Sequence, residues 1–310
     1  MESLDLESLN PDQLDAVVHR GTPLLVVAGA GSGKTRVLTH RIAHLIAEGV
    51  PPTSILAITF TNKAADEMKH RVGALVGPVV KAMWVCTFHS ACVRILRANA
   101  EALGYPRAFS IYDQADSQRL VSYVVRDLGL DAKRFPPRAV HGQISLWKNE
   151  LVTPDEARAR ADNPFTRKHA DVYGEYQARL LKAGAMDFDD LLMNTVELFR
   201  RHPEALANYQ QRFKYVLIDE YQDTNTAQNE IALALAHGHQ QITIVGDGDQ
   251  SVYGWRGADV RNILQFEDAF DEVTTIVLDQ NYRSTQTILD AANAVIRNNP
   301  DRKEKRLWSE

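Results

Sequence analysis

Residues 28–35 read AGAGSGKT, and no other stretch restricts the fold as tightly. The segment follows a short apolar run, LLVVA at 24–28, and precedes a stretch with helical periodicity over 35–47 that Gly49 can stop. Strand, glycine-rich turn and helix in that order make a phosphate cradle. Gly29, Gly31 and Gly33 let the backbone N–H groups of Ala28, Gly29, Ala30, Gly31, Ser32 and Gly33 turn toward phosphate oxygens. The helix that follows points its positive end at the same place. Lys34 supplies a compact positive charge for terminal phosphates, and Thr35 a hydroxyl for Mg²⁺. The usual pattern has glycine at position 28, where this chain has alanine.

Such a loop requires a sheet, and the apolar runs supply it. ILAIT at 55–59 and residues 83–87 read as buried strands, with helical stretches at 63–76 and 89–103 between and after them. That alternation implies an α/β fold with a parallel sheet covered by helices. From 107 to 193 the pattern changes to helices and loops without a convincing strand, which predicts an all-helical insertion. Strands resume at YVLID (215–219), QITIVG (241–246) and TTIVL (274–278). A helix follows over 285–298, with Ser284 placed as its cap.

YVLID ends in Asp219 and continues to Glu220, so two carboxylates lie at the edge of the sheet where ligands bind. Asp219 suits a Mg²⁺ ion held through water, and Glu220 a base for an attacking water. Gln250 follows the next strand, where it can sense a terminal phosphate. Tyr253, Trp255 and Arg256 share its loop. Aromatic faces stack on bases without regard to sequence. Gly254 and Arg256 flank Trp255 as in a loop tip, which favours base stacking over core packing for that tryptophan. The local pattern leaves Phe60 open between burial and stacking.

The formal net charge is −5, so a chain-wide electrostatic grip on nucleic acid is excluded, and any such contact must come from a local groove and stacking. Two cysteines, Cys86 and Cys92, can form neither a disulfide framework nor a paired metal site, and read as buried thiols in a reducing compartment. The acidic N-terminus lacks the order of a secretion signal, and no apolar run approaches a membrane span, so a cytoplasmic protein with no membrane partner is expected.

Taken together, these motifs resemble the UvrD/Rep/PcrA-type superfamily-one DNA helicases. Asn10-Pro11-Asp12-Gln13, ITFTNKAADEM (58–68), TFHS (87–90), DFDDL (187–191), GDGDQSVYGWRGA (246–258) and QNYRS (280–284) stand in the family's order. The resemblance implies a RecA-like P-loop motor domain over 1–106 and 194–279, a helical insertion at 107–193, and the start of a truncated second motor domain at 280–310. It implies ATP and Mg²⁺, with Gln13 reading adenine, Tyr282 stacking on it, and Arg283 at the transferring phosphate. For Arg36 two readings stay open, a hold on the base and a surface arginine of the helix. It also implies that Phe60, His89, Phe188, Tyr253, Trp255 and Arg256 contact DNA. The chain departs from the family at Gly248, where an acidic residue is usual.

The implied activity is ATP-driven 3′–5′ movement on single-stranded DNA and at single/double-strand junctions, in DNA repair or replication and with proteins of those processes as partners. Alternatives are the helicase part of a helicase–nuclease subunit, or a non-catalytic module that binds ATP or DNA and regulates a partner. Intact Lys34, Asp219, Glu220 and Gln250 argue against the last. Lacking the second face of the cleft, the chain by itself is expected to bind nucleotide weakly and turn it over slowly.

Overall fold

A computed structural model describes residues 4–254, 257–299 and 302–310. The chain forms two compact units, one of residues 1–88, 207–224 and 232–310, the other of 89–206 and 225–231.

The first unit is built on a six-stranded sheet. Its strands are β1 (Leu24–Ala28), β2 (Ile55–Thr59), β3 (Trp84–Thr87), β6 (Tyr215–Ile218), β7 (Ile242–Gly246) and β8 (Thr274–Leu278). Every pairing is parallel, in the order β3-β2-β6-β7-β1-β8. Parallel strands need crossover connections, and the helices Lys34–Ala47 (from β1 to β2) and Asn62–Val76 (from β2 to β3) provide the first two. Central strands of such a sheet are covered on both faces and read as unbroken apolar runs. Every residue of β1, β2 and β7 is accordingly buried, whereas the edge strand β8 stays mostly half-buried. Val26, Ala28, Val37, Ile42, Ala57 and Leu217 are among the residues of the core cluster. Between β1 and β2 the chain passes over β7 and β6, so the C-terminal ends of β6, β7 and β1 lie side by side at a switch in strand order, where open α/β sheets bind ligands.

The second unit is predominantly helical, around a core that includes Val121, Val140, Ile144, Tyr173, Tyr176 and Leu180. The expectation of helices and loops alone over 107–193 needs one correction. β4 (Ser110–Tyr112) and β5 (Ala185–Asp187) pair in parallel as a second, two-stranded sheet. Three-residue strands are too short for any periodicity, and their pairing joins residues 75 apart (Ser110 with Ala185), so nothing local announces them. A second correction concerns Ser284. The last helix runs Gln286–Ile296 with Thr285 at its N-cap and no side-chain cap bond. The Ser284 N–H instead donates to Asn281 Oδ1, at 2.7 Å. Cys86 and Cys92 are buried and form no disulfide.

Candidate nucleotide site and its aromatic neighbours

The phosphate loop leaves β1 and enters the helix Lys34–Ala47 through Gly33, whose φ of 90° is left-handed. Gly31 has φ 75°. At both positions a side chain would be strained as well as blocked: a β-carbon on Gly31 would sit 2.6 Å from Asn281 Nδ2, and one on Gly33 2.7 Å from Gln13 Nε2. No side chain caps this helix, so its first N–H groups are open to an anion. Ser32 is buried and its hydroxyl donates to Gly29 O at 2.8 Å, bracing the turn.

Lys34 and the carboxylate pair converge. Lys34 Nζ donates to Glu220 Oε2 at 2.7 Å, across 186 residues of sequence. Glu220 has φ 50° and ψ 45°, a left-handed conformation that is costly for a residue with a β-carbon. The carboxyl of Asp219, beside it, is pushed up to about 6 by burial and by the charge of Glu220, against the pull of Lys34. Its Oδ1 accepts from the Glu220 N–H at 2.9 Å. Hard oxygen donors of this kind suit Mg²⁺, which is bound through one or two protein oxygens plus phosphates and water. Asp219 and the Thr35 hydroxyl are therefore the residues that could hold it.

Gln250 closes the short helix Gly248–Gln250 after β7, and its Nε2 donates to Asp247 Oδ2 at 2.6 Å. A β-carbon on Gly248 would make only ordinary contacts with Val260 and Leu264, so this glycine is not forced by space. The two loops are joined by Gln222. Its Nε2 donates to Glu220 Oε2 at 2.9 Å, and its Oε1 accepts from the Asp247 N–H at 3.0 Å. Gly246 makes room for that amide, since a β-carbon there would lie 2.5 Å from Gln222 Oε1.

Gln13 is buried, and both ends of its amide are engaged. Oε1 accepts from the Asn10 N–H at 3.3 Å as half of a capping box, and Nε2 donates to Ser32 O at 2.9 Å. Tyr282 is 57% exposed, and its hydroxyl accepts from Asn10 Nδ2 at 2.8 Å while donating to Gln280 Oε1 at 2.9 Å. Its N–H donates to Gly31 O at 3.0 Å. The Arg283 side chain is exposed. Arg36 donates to the Ser8 hydroxyl at 2.6 Å and to Ser8 O at 3.1 Å, so its guanidinium ties down the N-terminal segment.

Of the residues expected to meet DNA, Trp255 and Arg256 lie outside the described residues. Phe60 and Tyr253, both half-buried, stack on each other with centroids 5.3 Å apart and an interplanar angle of 24°. In the helical unit His89 meets Phe188 edge-on at 6.0 Å. Burial pushes the His89 imidazole pKa down. Phe188 is 50% exposed, which for a phenylalanine at a helix start leaves a face free to stack.

The family model described as the UvrD/REP helicase N-terminal domain matches residues 9–271. The chain belongs to this family. It is 53% identical over 306 residues to the ATP-dependent DNA helicase PcrA of Bacillus subtilis (strain 168), covering 98% of this chain and 41% of that protein. Proteins of the same description from Staphylococcus aureus (strain Mu50) and Staphylococcus epidermidis are each 52% identical over 305 residues, 98% of this chain and 42% of theirs. The chain thus spans about two-fifths of the length of these relatives.

Against the family's motifs, the structure adds residues that sequence reasoning missed. Gln222 is one. Asn281 is another: its Nδ2 donates to Ala30 O, and its Oδ1 accepts from the N–H groups of Arg283 and Ser284. An asparagine ahead of a helix was a legible turn signal. Arg41, buried, donates to Ala16 O, Val17 O, His19 O and Thr243 Oγ1, anchoring the helix that carries Gln13. Residues 302–310 lie along the site. Lys305 pairs with Asp247 and Asp249, Arg302 pairs with Asp249, and Leu307 packs against Gly29. Among the described residues no helix is long and apolar enough to cross a membrane.

Proposed function

We propose that this chain is the nucleotide-binding part of an ATP-driven motor that moves 3′ to 5′ along single-stranded DNA. The observation that carries the reading is the 2.7 Å approach of Lys34 Nζ to Glu220 Oε2 beside Asp219, at the ends of strands that the sheet sets one apart. The relatives' name, ATP-dependent DNA helicase, supports the same reading.

On nucleotide binding, Lys34 exchanges Glu220 for the terminal phosphates, and the backbone N–H groups of 28–35 take the remaining oxygens. Released from the lysine, Glu220 is free to accept a proton from the attacking water, with Gln222 holding its carboxylate in place. A Mg²⁺ ion at Thr35 and Asp219 would neutralise phosphate charge as it develops. Gln250 reads the terminal phosphate from the loop that also carries Tyr253, Trp255 and Arg256. Arg283, exposed, is free to reach the same phosphate, and Tyr282 offers a face to adenine with Gln13 close to the loop. Arg36, occupied by Ser8, serves the base only through that segment.

DNA is met by Phe60, Tyr253, Trp255 and Arg256, and by His89 and Phe188. Residues 280–310 open a second motor domain, and 107–193 form the insertion. Action at single/double-strand junctions in repair or replication, beside the proteins of those processes and in the cytoplasm, belongs to the same proposal.

Binding of a fluorescent ATP analogue with Mg²⁺, and phosphate release with and without an oligothymidylate, test the reading. The expected result is weak binding that Lys34→Ala abolishes, and slow release that DNA raises and Glu220→Gln removes. Absence of nucleotide binding, or DNA-stimulated release that survives Glu220→Gln, overturns it. Robust unwinding by this chain alone would contradict the need for a second motor domain.

A further inference from the structure

The helical unit buries an ion cluster that the nucleotide chemistry does not use. Lys148, at the end of the helix Pro137–Asn149, has no exposed side-chain surface. Its Nζ donates at 2.8 Å to Asp187 Oδ2 and at 2.8 Å to Asp190 Oδ1. Tyr176 Oη donates to the same Asp187 oxygen at 2.7 Å, and Gln177 Nε2 to Asp190 Oδ1 at 2.9 Å. Asp187 is the N-cap of the helix Phe188–Arg201 and Asp190 its third residue. Each carboxylate also accepts the other's backbone N–H, at 2.8 and 3.1 Å. Asn149 completes the set by donating to Asp189 Oδ1 at 3.0 Å. All three aspartates of the turn 187–190 are thus held from neighbouring helices. Burial alone would push the Lys148 ammonium down, but Asp187 and Asp190 overcome it and hold the pKa well above the lysine range.

The fourth residue of that turn is Phe188, half exposed and edge-on to His89. A buried ion cluster is a poor means of gaining stability, because well-packed apolar side chains of similar volume are often as good or better. What a charged fork supplies that packing does not is direction. It fixes the helix start by several short, oriented bonds. A group that must stack on a base needs its ring held to within roughly 0.5 Å and 10–20°.

We propose that Lys148 is a positioning residue, which through Asp187 and Asp190 sets the stance of the Phe188 ring for stacking on a nucleobase of single-stranded DNA. This rests on the DNA-binding reading above. The clean perturbation is the triple variant Lys148→Met/Asp187→Asn/Asp190→Asn, which removes the charges of Lys148 and of both carboxylates it binds, leaves Asp189 in place, nearly keeps volume and leaves asparagine as a good N-cap. Tyr176→Phe, which deletes a single hydroxyl from the cluster, is the milder companion.

Two readouts separate positioning from mere structure. The first is the ¹⁹F resonance of 4-fluorophenylalanine placed at position 188. A single narrow line is expected for the parent, a shifted or broadened line for the triple variant, and a smaller change in the same direction for Tyr176→Phe. The second is the affinity for a fluorescein-labelled oligothymidylate by anisotropy. Phe188→Ala is expected to weaken binding by roughly 5–150-fold, the range of one stacked base. The triple variant should lose most of that, and adding Phe188→Ala to it should cost little more.

An unchanged ¹⁹F line in both variants, or losses that multiply independently, overturns the proposal. If the parent does not bind the oligonucleotide, the DNA reading fails, while the ¹⁹F line still decides whether the cluster holds the ring.

Discussion

Replacing Asp219 by asparagine removes one charge, keeps the side chain's shape and leaves the acceptor oxygen for the Glu220 N–H. In the folded protein the Asp219 carboxyl is raised from the ordinary 3.8 to about 6, chiefly by burial and then by Glu220. A group whose folded pKa is raised contributes most to stability below its unfolded pKa, and loses that contribution as pH rises through the folded value. A shift of about 2 units corresponds to ~3 kcal/mol at 1.4 kcal/mol per unit. Asp219 keeps some contact with solvent, and hydration of the charged form reduces this to about 1.5 kcal/mol. At about 2–4 °C per kcal/mol for a domain of this size, Asp219→Asn should melt roughly 3–6 °C above the parent at pH 8 without nucleotide. The gain should begin to shrink as pH falls through about 6 and be nearly gone only below the unfolded value of 3.8, where the unfolded parent is protonated too. Differential scanning calorimetry across that range measures it directly. A gain independent of pH, or a loss of stability at pH 8, would refute the claim that this carboxylate is held charged at a cost for later use by a cation.

Glu220→Gln should remove the ion pair to Lys34 while nucleotide affinity holds or rises, because the lysine no longer has to leave an anion; equilibrium titration with a fluorescent ATP analogue checks this. Gly246→Ala, forcing a β-carbon to 2.5 Å from Gln222 Oε1 and 2.8 Å from Ile263 Cδ1, should cost about 1–3 kcal/mol in urea unfolding. Arg41→Ala strips four acceptors of their buried donor and should cost ~3–5 kcal/mol, against an effect under about 0.5 kcal/mol for the surface change Arg71→Ala. Trp255→Ala and Tyr253→Ala should each weaken oligothymidylate binding by about 1–3 kcal/mol and leave nucleotide binding near the parent value. Equal loss of both affinities would mark these rings as core.

The strands were legible because a parallel sheet covered on both faces demands unbroken apolar runs. LLVVA and ILAIT at β1 and β2 start and stop where the pattern does. Lys34, Asp219 and Glu220 were marked as candidates for a related reason: Asp219 and Glu220 come straight after such a strand, and Lys34 after one and its glycine-rich turn, so local motifs place them near the C-terminal edge. Boundaries governed by caps were less so, as Ser284 shows, because the acceptor that organises that turn is the side chain of Asn281. β4 and β5 were missed outright, since three residues carry no period and their partner lies far along the chain.

Local order of residue types was enough to determine the α/β class and to mark the glycine-rich turn at 28–35 and the two carboxylates after β6 as the candidate site, because hydrophobic periodicity and glycine-bearing turns act over a few residues. Only the folded chain decided which polar groups meet. Gln222 bridging Glu220 to Asp247, Arg41 beneath the first helix, Lys148 between Asp187 and Asp190, and Lys305 on Asp247 all join groups that no sequence window contains together. A buried hydrogen bond or ion pair depends on distances of about 3 Å set by packing, and packing is a property of the whole fold.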